Sequence, residues 1–334
     1  MKKAKRLLSI ILILLLAILV ALNFYFDILL KNIDRDVVKI NKNELDISEE
    51  FKKNHKFNSV KNIVLFGVDN NSNSSSSLDE ARSDAIKVIS LDRTSRKVKI
   101  TSLERDLVVY MPGDYQDYGH LNWAYAYGGS KLAMQTINYN FDLDLDKYVT
   151  VSFGALKTLV DLVGGIDIEL TEAEIYQSVQ PLYIDGPAGT YTLSGSQALS
   201  YARIRKIDND FHRMDRQNAV ISAVMNKLKK QNPLKMLDTV SQMLPYVNTN
   251  LSNNHLKLLL LEILTFDLNH IETYKEPAGE MEDLYYAYGI GGNIVPSYVD
   301  MVKNLHKNIY GIDDYQVSQR IYDTQDEIFY YFGG

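Results

Sequence analysis

From Leu7 to Phe26 the chain carries no charge: twenty residues dominated by Leu, Ile, Val and Ala. At about 1.5 Å of rise per residue such a helix spans the ~30 Å hydrocarbon core of a bilayer. Beyond it, the polar stretch 27–60 predicts a helical stalk. Asn62–Asp69 is then a short apolar run rich in β-branched residues, a buried strand ending in a carboxylate. Asn70–Ser77, almost all Asn and Ser, is a flexible spacer by composition. Asp84–Leu91 and Lys97–Leu103 predict two more strands joined by a tight hairpin over Asp92–Arg96. Ser130 predicts the cap of a helix running to about Asn140, after the pair Gly128-Gly129. A second helix, from about Phe153 to Val163, stops at Gly164-Gly165. Ile166–Leu170 alternates as a half-exposed strand, and Ser194 with Gln197 forms a capping box. Apolar residues at 220, 221, 224, 225 and 228 have helical spacing. After Pro233 helical patterns recur at about 235–245, 253–266 and 297–309, and the tail 313–332 mixes acids with aromatics. This order predicts an α/β fold: a central mixed, largely antiparallel sheet with helices on its faces, preceded by one transmembrane helix.

Charge orients the anchor. Lys2, Lys3, Lys5 and Arg6 precede the apolar run and Asp27 follows it, which places residues 1–6 in the cytoplasm and 27–334 outside the cell. The rival is a cleaved signal peptide, against which stand the length of the run and the bulky Leu22–Phe26 where a small-residue cleavage site would fall. With the four amino-terminal cations set aside, 32 basic residues face 42 acidic ones, a formal net charge of −10. That balance argues against nucleic-acid binding. There is no cysteine, so disulfides, thiolate chemistry and cysteine metal sites are excluded. The expected organisation is a tail (1–6), an anchor (7–26), a stalk (27–60), a main α/β domain (61–232) and a helical extension (233–334).

Against this acidic background the arginines stand out. The chain has 11, and four of them (Arg203, Arg205, Arg213 and Arg216) fall within fourteen positions. The guanidinium fork matches phosphate oxygens with paired hydrogen bonds. Arg213, Arg216 and Gln217 lie three and four apart at the start of a predicted helix, where unpaired N–H groups favour an anion. The plainer reading is a basic helix start solvated and paired with Asp208, Asp210 and Asp215. Arg82 and Asp84 open one strand of the hairpin while Arg105 and Asp106 follow the other, so all four should gather at one sheet edge, within reach of Asp69. Two carboxylates, Asp69 and Asp84, among phosphate-seeking arginines suit a Mg²⁺-dependent pyrophosphate site, with Mn²⁺ as a substitute. Each alone reads equally as a strand-end turn residue or an arginine partner. The lone Trp123 and the 23 tyrosines offer stacking surfaces for sugar rings, although most belong to core or surface.

These segments, together with His120–Gly129, Val163–Ile166 and Tyr201–Gln217, resemble in order and spacing the LytR-CpsA-Psr family, over roughly residues 60–230 plus the anchor. The resemblance implies a three-layer α/β/α fold with a hydrophobic pocket for a polyprenyl chain. It also implies a membrane-anchored phosphotransferase that moves an anionic glycopolymer, such as teichoic acid or capsule, from a polyprenyl-pyrophosphate carrier to peptidoglycan. Asp69 and Asp84 match the family's magnesium ligands. Arg82, Arg105, Arg203, Arg205, Arg213 and Gln217 match its pyrophosphate set, which Arg216 joins by position. Arg105 would stabilise developing charge, and Asp106 is either the base for the acceptor hydroxyl or a structural partner of an arginine. The chain departs from the family pattern at Ala85, Glu104 and Leu107, where Thr, Pro and Thr are usual. Those departures motivate the alternative of a non-catalytic polyprenyl-pyrophosphate-binding regulator or scaffold.

Overall fold

A computed structural model describes residues 27–28, 30–35, 40–48, 57–68, 82–208, 210–263, 265–278 and 294–332. The Leu7–Phe26 run, Asp69 and the Asn70–Ser77 spacer lie outside the described residues. Among the described residues no helix is long and apolar enough to cross a membrane. Along the chain the strands are β1 (Asp34–Arg35), β2 (Val60–Val68), β3 (Ser83–Asp92), β4 (Lys97–Leu103), β5 (Val108–Met111) and β6 (Asp117–His120). They continue with β7 (Tyr148–Ser152), β8 (Ile166–Leu170), β9 (Gly189–Leu193), β10 (Val247–Thr249) and β11 (Asp267–Glu276). The helices are α1 (Leu121–Phe141), α2 (Phe153–Leu162), α3 (Glu172–Tyr176), α4 (Gly195–Ala202) and α5 (Asp210–Lys230), followed by α6 (Pro233–Met243), α7 (Asn253–Ile263), α8 (Tyr298–Tyr310) and α9 (Gln319–Phe332).

Seven strands form one mixed sheet in the order β1-β10-β7-β2-β3-β4-β11. Hairpin connectivity makes β2, β3 and β4 antiparallel neighbours. Long excursions bring β7 beside β2, β11 beside β4 and β10 beside β1 in parallel. Half of the pairings are therefore parallel, which corrects the largely antiparallel sheet expected from the one visible hairpin. In that hairpin Asp92 accepts from the N–H groups of Thr94 and Ser95, and Arg96 closes the turn at φ 57°.

On one face Val64, Phe66, Ile86 and Val88 pack against Tyr125, Ile137 and Phe141 of α1 and against Val302, Leu305 and Ile309 of α8. Burying each such side chain contributes roughly 1.5–3 kcal/mol. The carboxy-terminal α9 adds Ile321 and Ile328 to the same core. On the other face lies α5, whose Asn218 accepts from the buried Lys87 of β3 at 2.8 Å. The β8–β9 hairpin, α2, α4 and α5 enclose a second cluster around Val160, Leu193 and Val220.

Caps expected from the sequence form. Ser194 accepts from Gln197 N–H within a reciprocal capping box, and α2 ends where Gly164 and Gly165 take φ of 82° and 84°. Other expectations change. Of the stretch 27–60, read as a helical stalk, residues 27–28 are helical and residues 30–59 form 3-10 turns and the short β1 as their regular structure where described, and Leu30, Leu45 and Phe57 are buried. The helix expected from Ser130 does begin after the non-helical pair Gly128-Gly129; a further helical stretch from Leu121, buried through Leu121, Ala124 and Tyr125 and concealed by the aromatic run, precedes the pair and gives α1 its kink. Strand β11 and helix α9 were not anticipated. A register shift between Asp267 and Glu272 breaks the strand's alternation. The i, i+3, i+7 set Ile321, Thr324 and Ile328 had marked the buried side of the helix.

Candidate active site

The antiparallel register of β3 on β4 pairs Ile86 with Leu103, so Asp84, two residues before Ile86, and Arg105, two after Leu103, come together. An Arg105 Nη1–Asp84 Oδ1 ion pair joins them. Val68, at the end of β2, pairs with Ser83 and in parallel with Ser152 of β7. The ends of β2, β3, β4 and β7 thus meet at one rim. Asp69 follows Val68 but lies outside the described residues. Glu104 shapes the turn after β4: it is fully buried, and its Oε1 accepts from Arg105 N–H at 3.0 Å and Asp106 N–H at 3.4 Å. A side chain that ties down two successive N–H groups does the fixing work of a rigid turn residue, here where the family usually has Pro.

The arginine segment closes the site from the other side. Arg203 caps α4, with its guanidinium 4.8 Å from the centre of the Phe153 ring. Ile204 is buried beneath the loop, and Arg205 emerges exposed. On the first turns of α5, Arg213 and Gln217 are both buried and share one face, four residues apart. Two adjoining cavities result. One, of about 270 Å³, is walled by Phe153, Val179 and Ala202 together with Arg203, Arg213 and Gln217. The other, of about 490 Å³, is walled by Arg82, Arg105, Asp106, His120 and Trp123. Asp84 and Arg205 line both.

Arg216 does not join them. Its Nε bonds Glu174 at 2.7 Å, and Nη1 bonds the Ile204 carbonyl at 3.2 Å and Asp208 at 3.0 Å, with a further Nη2–Asp208 contact. At 3.6 residues per turn it points about 60° away from Arg213, toward α3. The assignment of Arg216 to the pyrophosphate set is therefore corrected: it braces the loop that carries Arg203 and Arg205. The plainer reading of this segment holds for Asp208, and Asp215 pairs with Lys275 at 2.7 Å.

Asp210 is the residue that sequence reasoning undervalued. It lies 2.7 Å from Arg213 Nη2, 3.3 Å from Arg105 Nε and 3.9 Å from Arg205 Nε, and so spaces three guanidinium groups around one carboxylate. Its place at the helix start beside the arginines was the available signal. Asp106 faces Arg105 Nε at 3.3 Å and His120 Nδ1 at 3.7 Å. Among the described residues one carboxylate set could hold a cation, a trio of oxygens from Glu104, Asp106 and Asp210 within 4.8 Å of one another.

Burial, then the neighbouring Asp210 charge, pushes the Glu104 carboxyl up to about 7. Burial, then Arg213, pushes the Lys87 ammonium down to about 7. The folded state keeps a proton on Glu104 that the unfolded chain releases near 4.5. Stability therefore falls as pH rises through that window and levels off above the folded value. Glu104→Gln should flatten this part of the stability–pH profile, measured by urea unfolding between pH 4.5 and 7. Glu276, which burial pushes up to about 8, adds to the decline, and His306, which burial pushes down to about 3, opposes it below about 6.5.

A model of the LytR_cpsA_psr family matches residues 26–305. Biofilm regulatory protein A of Streptococcus mutans is 37% identical over 212 residues, 58% of this chain and 49% of that protein. The polyisoprenyl-teichoic acid–peptidoglycan teichoic acid transferase TagT of Bacillus subtilis is 30% identical over 181 residues, 53% of this chain and 56% of that one. The chain thus spans about half the length of these curated relatives. A solved structure of TagT bound to LIIa-WTA superposes with a TM-score of 0.59 at 25% identity, covering 76% of this chain and 92% of that one. The family match covers the sheet, both cavities and most of α8, well beyond the 60–230 stretch that carries the motifs; the chain belongs to the LytR-CpsA-Psr family.

Proposed function

We propose that the protein is a membrane-anchored, extracytoplasmic phosphotransferase that moves an anionic glycopolymer from a polyprenyl-pyrophosphate carrier to peptidoglycan. The observation that carries this reading is the pair of joined cavities. One has a partly apolar wall in Phe153, Val179 and Ala202, the other is polar, and guanidinium groups surround their junction at Asp84 and Arg205. A pyrophosphate at the junction has its lipid side toward Phe153 and its polymer side toward Arg105. The transferase name of TagT describes the same donor and acceptor classes. The Leu7–Phe26 run would keep the site at the outer leaflet, where a polyprenyl lipid resides.

In this reading the acceptor hydroxyl oxygen bonds the polymer-side phosphorus, and the bond from that phosphorus to the polyprenyl phosphate oxygen breaks. Asp106, in the polar cavity with His120 behind it, takes the hydroxyl proton. Arg203, Arg213 and Gln217 receive the leaving phosphate, and Arg82 and Arg105 hold the phosphoryl group being transferred. Catalysis then rests on positioning and on charges fixed before the reaction. Asp84 presents hard carboxylate oxygens at the junction, a donor set that fits Mg²⁺, or Mn²⁺ in its place; Asp69, next in the chain after Val68, would be the second ligand. A bound divalent ion supplies positive charge to the pyrophosphate oxygens.

The full-length protein in detergent should transfer polymer from such a donor to peptidoglycan oligomers, and chelation should stop it. Arg203→Ala should lower the rate by about 10²-fold, the usual cost of one charge-stabilising donor, with little change in unfolding midpoint. Undiminished transfer by that variant, or by the chelated enzyme, contradicts the assignment.

A further inference from the structure

The polar cavity has a wall that the phosphate chemistry leaves unused. Trp123 lines it beside Asp84 and Arg105. The indole centre lies 4.7 Å from His120 and 6.3 Å from Tyr127, one helical turn further along α1. Tyr127 is 49% exposed, and the 42% exposed Tyr115 stacks on it at 5.3 Å, 14° from parallel. These rings are locked in place. Tyr115 donates its hydroxyl to the Tyr127 carbonyl. Gly119 leaves room for the indole, since a Cβ there would stand 2.7 Å from Trp123 Cε3. The kink at Gly128 and Gly129 ends the first half of α1 just beyond Tyr127. An aromatic strip therefore runs from the reacting centre out onto the surface.

We propose that Trp123, extended by Tyr127 and Tyr115, is the subsite for the acceptor: a sugar ring of a neutral N-acetylhexosamine glycan strand stacks on it and brings its hydroxyl to the phosphorus. This rests on the function proposed above and goes beyond it by locating the acceptor. Three observations choose this occupant. In-line displacement puts the incoming oxygen opposite the leaving one. In the proposed function the leaving lipid phosphate faces the cavity of Phe153 and Val179, so the acceptor enters from the opposite cavity, on the Trp123 side. A pyranose presents a face of C–H groups to the electron-rich face of an aromatic ring while its hydroxyls stay free for hydrogen bonds. Finally, the exposed Asp114 and Asp117 flank Tyr115 in sequence, and their charge disfavours an anionic polymer along the strip.

Trp123 is the only tryptophan in the chain, so intrinsic fluorescence of the full-length protein reads the subsite directly. Titration with N-acetylglucosamine oligomers should change the emission saturably. In kinetics, Trp123→Ala should raise the acceptor KM about tenfold, the equivalent of one lost stacking contact. The donor KM, and donor hydrolysis measured without acceptor, should change far less than the acceptor KM. Trp123→Phe should recover part of the acceptor KM. Gly119→Ala, which keeps the indole but displaces it, should reproduce the Trp123→Ala defect. A donor KM that rises while the acceptor KM stays put would assign the strip to donor sugars and overturn the proposal, as would emission that no oligomer alters. A wild-type protein that binds oligomers but transfers nothing would contradict the proposed function and leave the subsite standing.

Discussion

Arg105→Ala should reduce polymer transfer by about 10²–10³-fold, the cost of removing one preorganised donor from a developing oxyanion. Arg105 is the best-connected cation of the site: it pairs with Asp84, and its Nε lies 3.3 Å from both Asp106 and Asp210. Its loss removes positive charge from the transferring phosphate and leaves three carboxylates to repel one another and the substrate. Arg105→Lys restores the charge but not the planar fork, so it should recover the unfolding midpoint while recovering little of the rate. Rates with a defined donor, set beside denaturant melts of the same preparations, separate the two effects. An Arg105→Ala enzyme within threefold of wild type would mean that this guanidinium is structural.

Arg216→Ala is expected to do the reverse. Arg216 and Glu174 are both nearly buried, with side chains 6% and 9% exposed. Removing one member of a buried pair leaves an uncompensated charge and typically costs about 3–5 kcal/mol. The Asp208 contacts and the Ile204 carbonyl lose their donor at the same time. Urea unfolding should therefore show a large drop in midpoint at unchanged slope. What remains folded should lose donor affinity only modestly, through the loosened loop of Arg203 and Arg205, because Arg216 itself lines neither cavity. A stable Arg216→Ala protein with strongly weakened donor binding would restore this residue to the pyrophosphate set.

The contrast between Arg213 and Arg216 shows where sequence reasoning reaches its limit. Clustering and helical spacing singled out the arginine segment, and Asp84, Arg105, Arg203, Arg205, Arg213 and Gln217 line the two cavities that meet at Asp84 and Arg205. Spacing alone could not decide which of two neighbouring arginines faces the cleft. That depends on Glu174, forty-two positions earlier, arriving on the far side of α5. The same limit explains Asp210 and the parallel strands. Local pattern revealed the β3–β4 hairpin and the ends of α2, whereas β7 and β11 enter the sheet after long excursions that leave no local mark. Glu104 was legible as a departure from the family pattern. Its role in holding the N–H groups of Arg105 and Asp106 required the turn itself.

The central claim is that the acceptor oxygen attacks phosphorus and expels a polyprenyl phosphate. Mass analysis of the lipid released during one round of transfer, with polymer–peptidoglycan product quantified in the same reaction, tests it most directly. The account predicts polyprenyl monophosphate in a one-to-one ratio with product, and a phosphate retained between polymer and peptidoglycan. Release of polyprenyl diphosphate, which would mean attack at the sugar carbon, would contradict it, as would a donor complex that binds and never turns over.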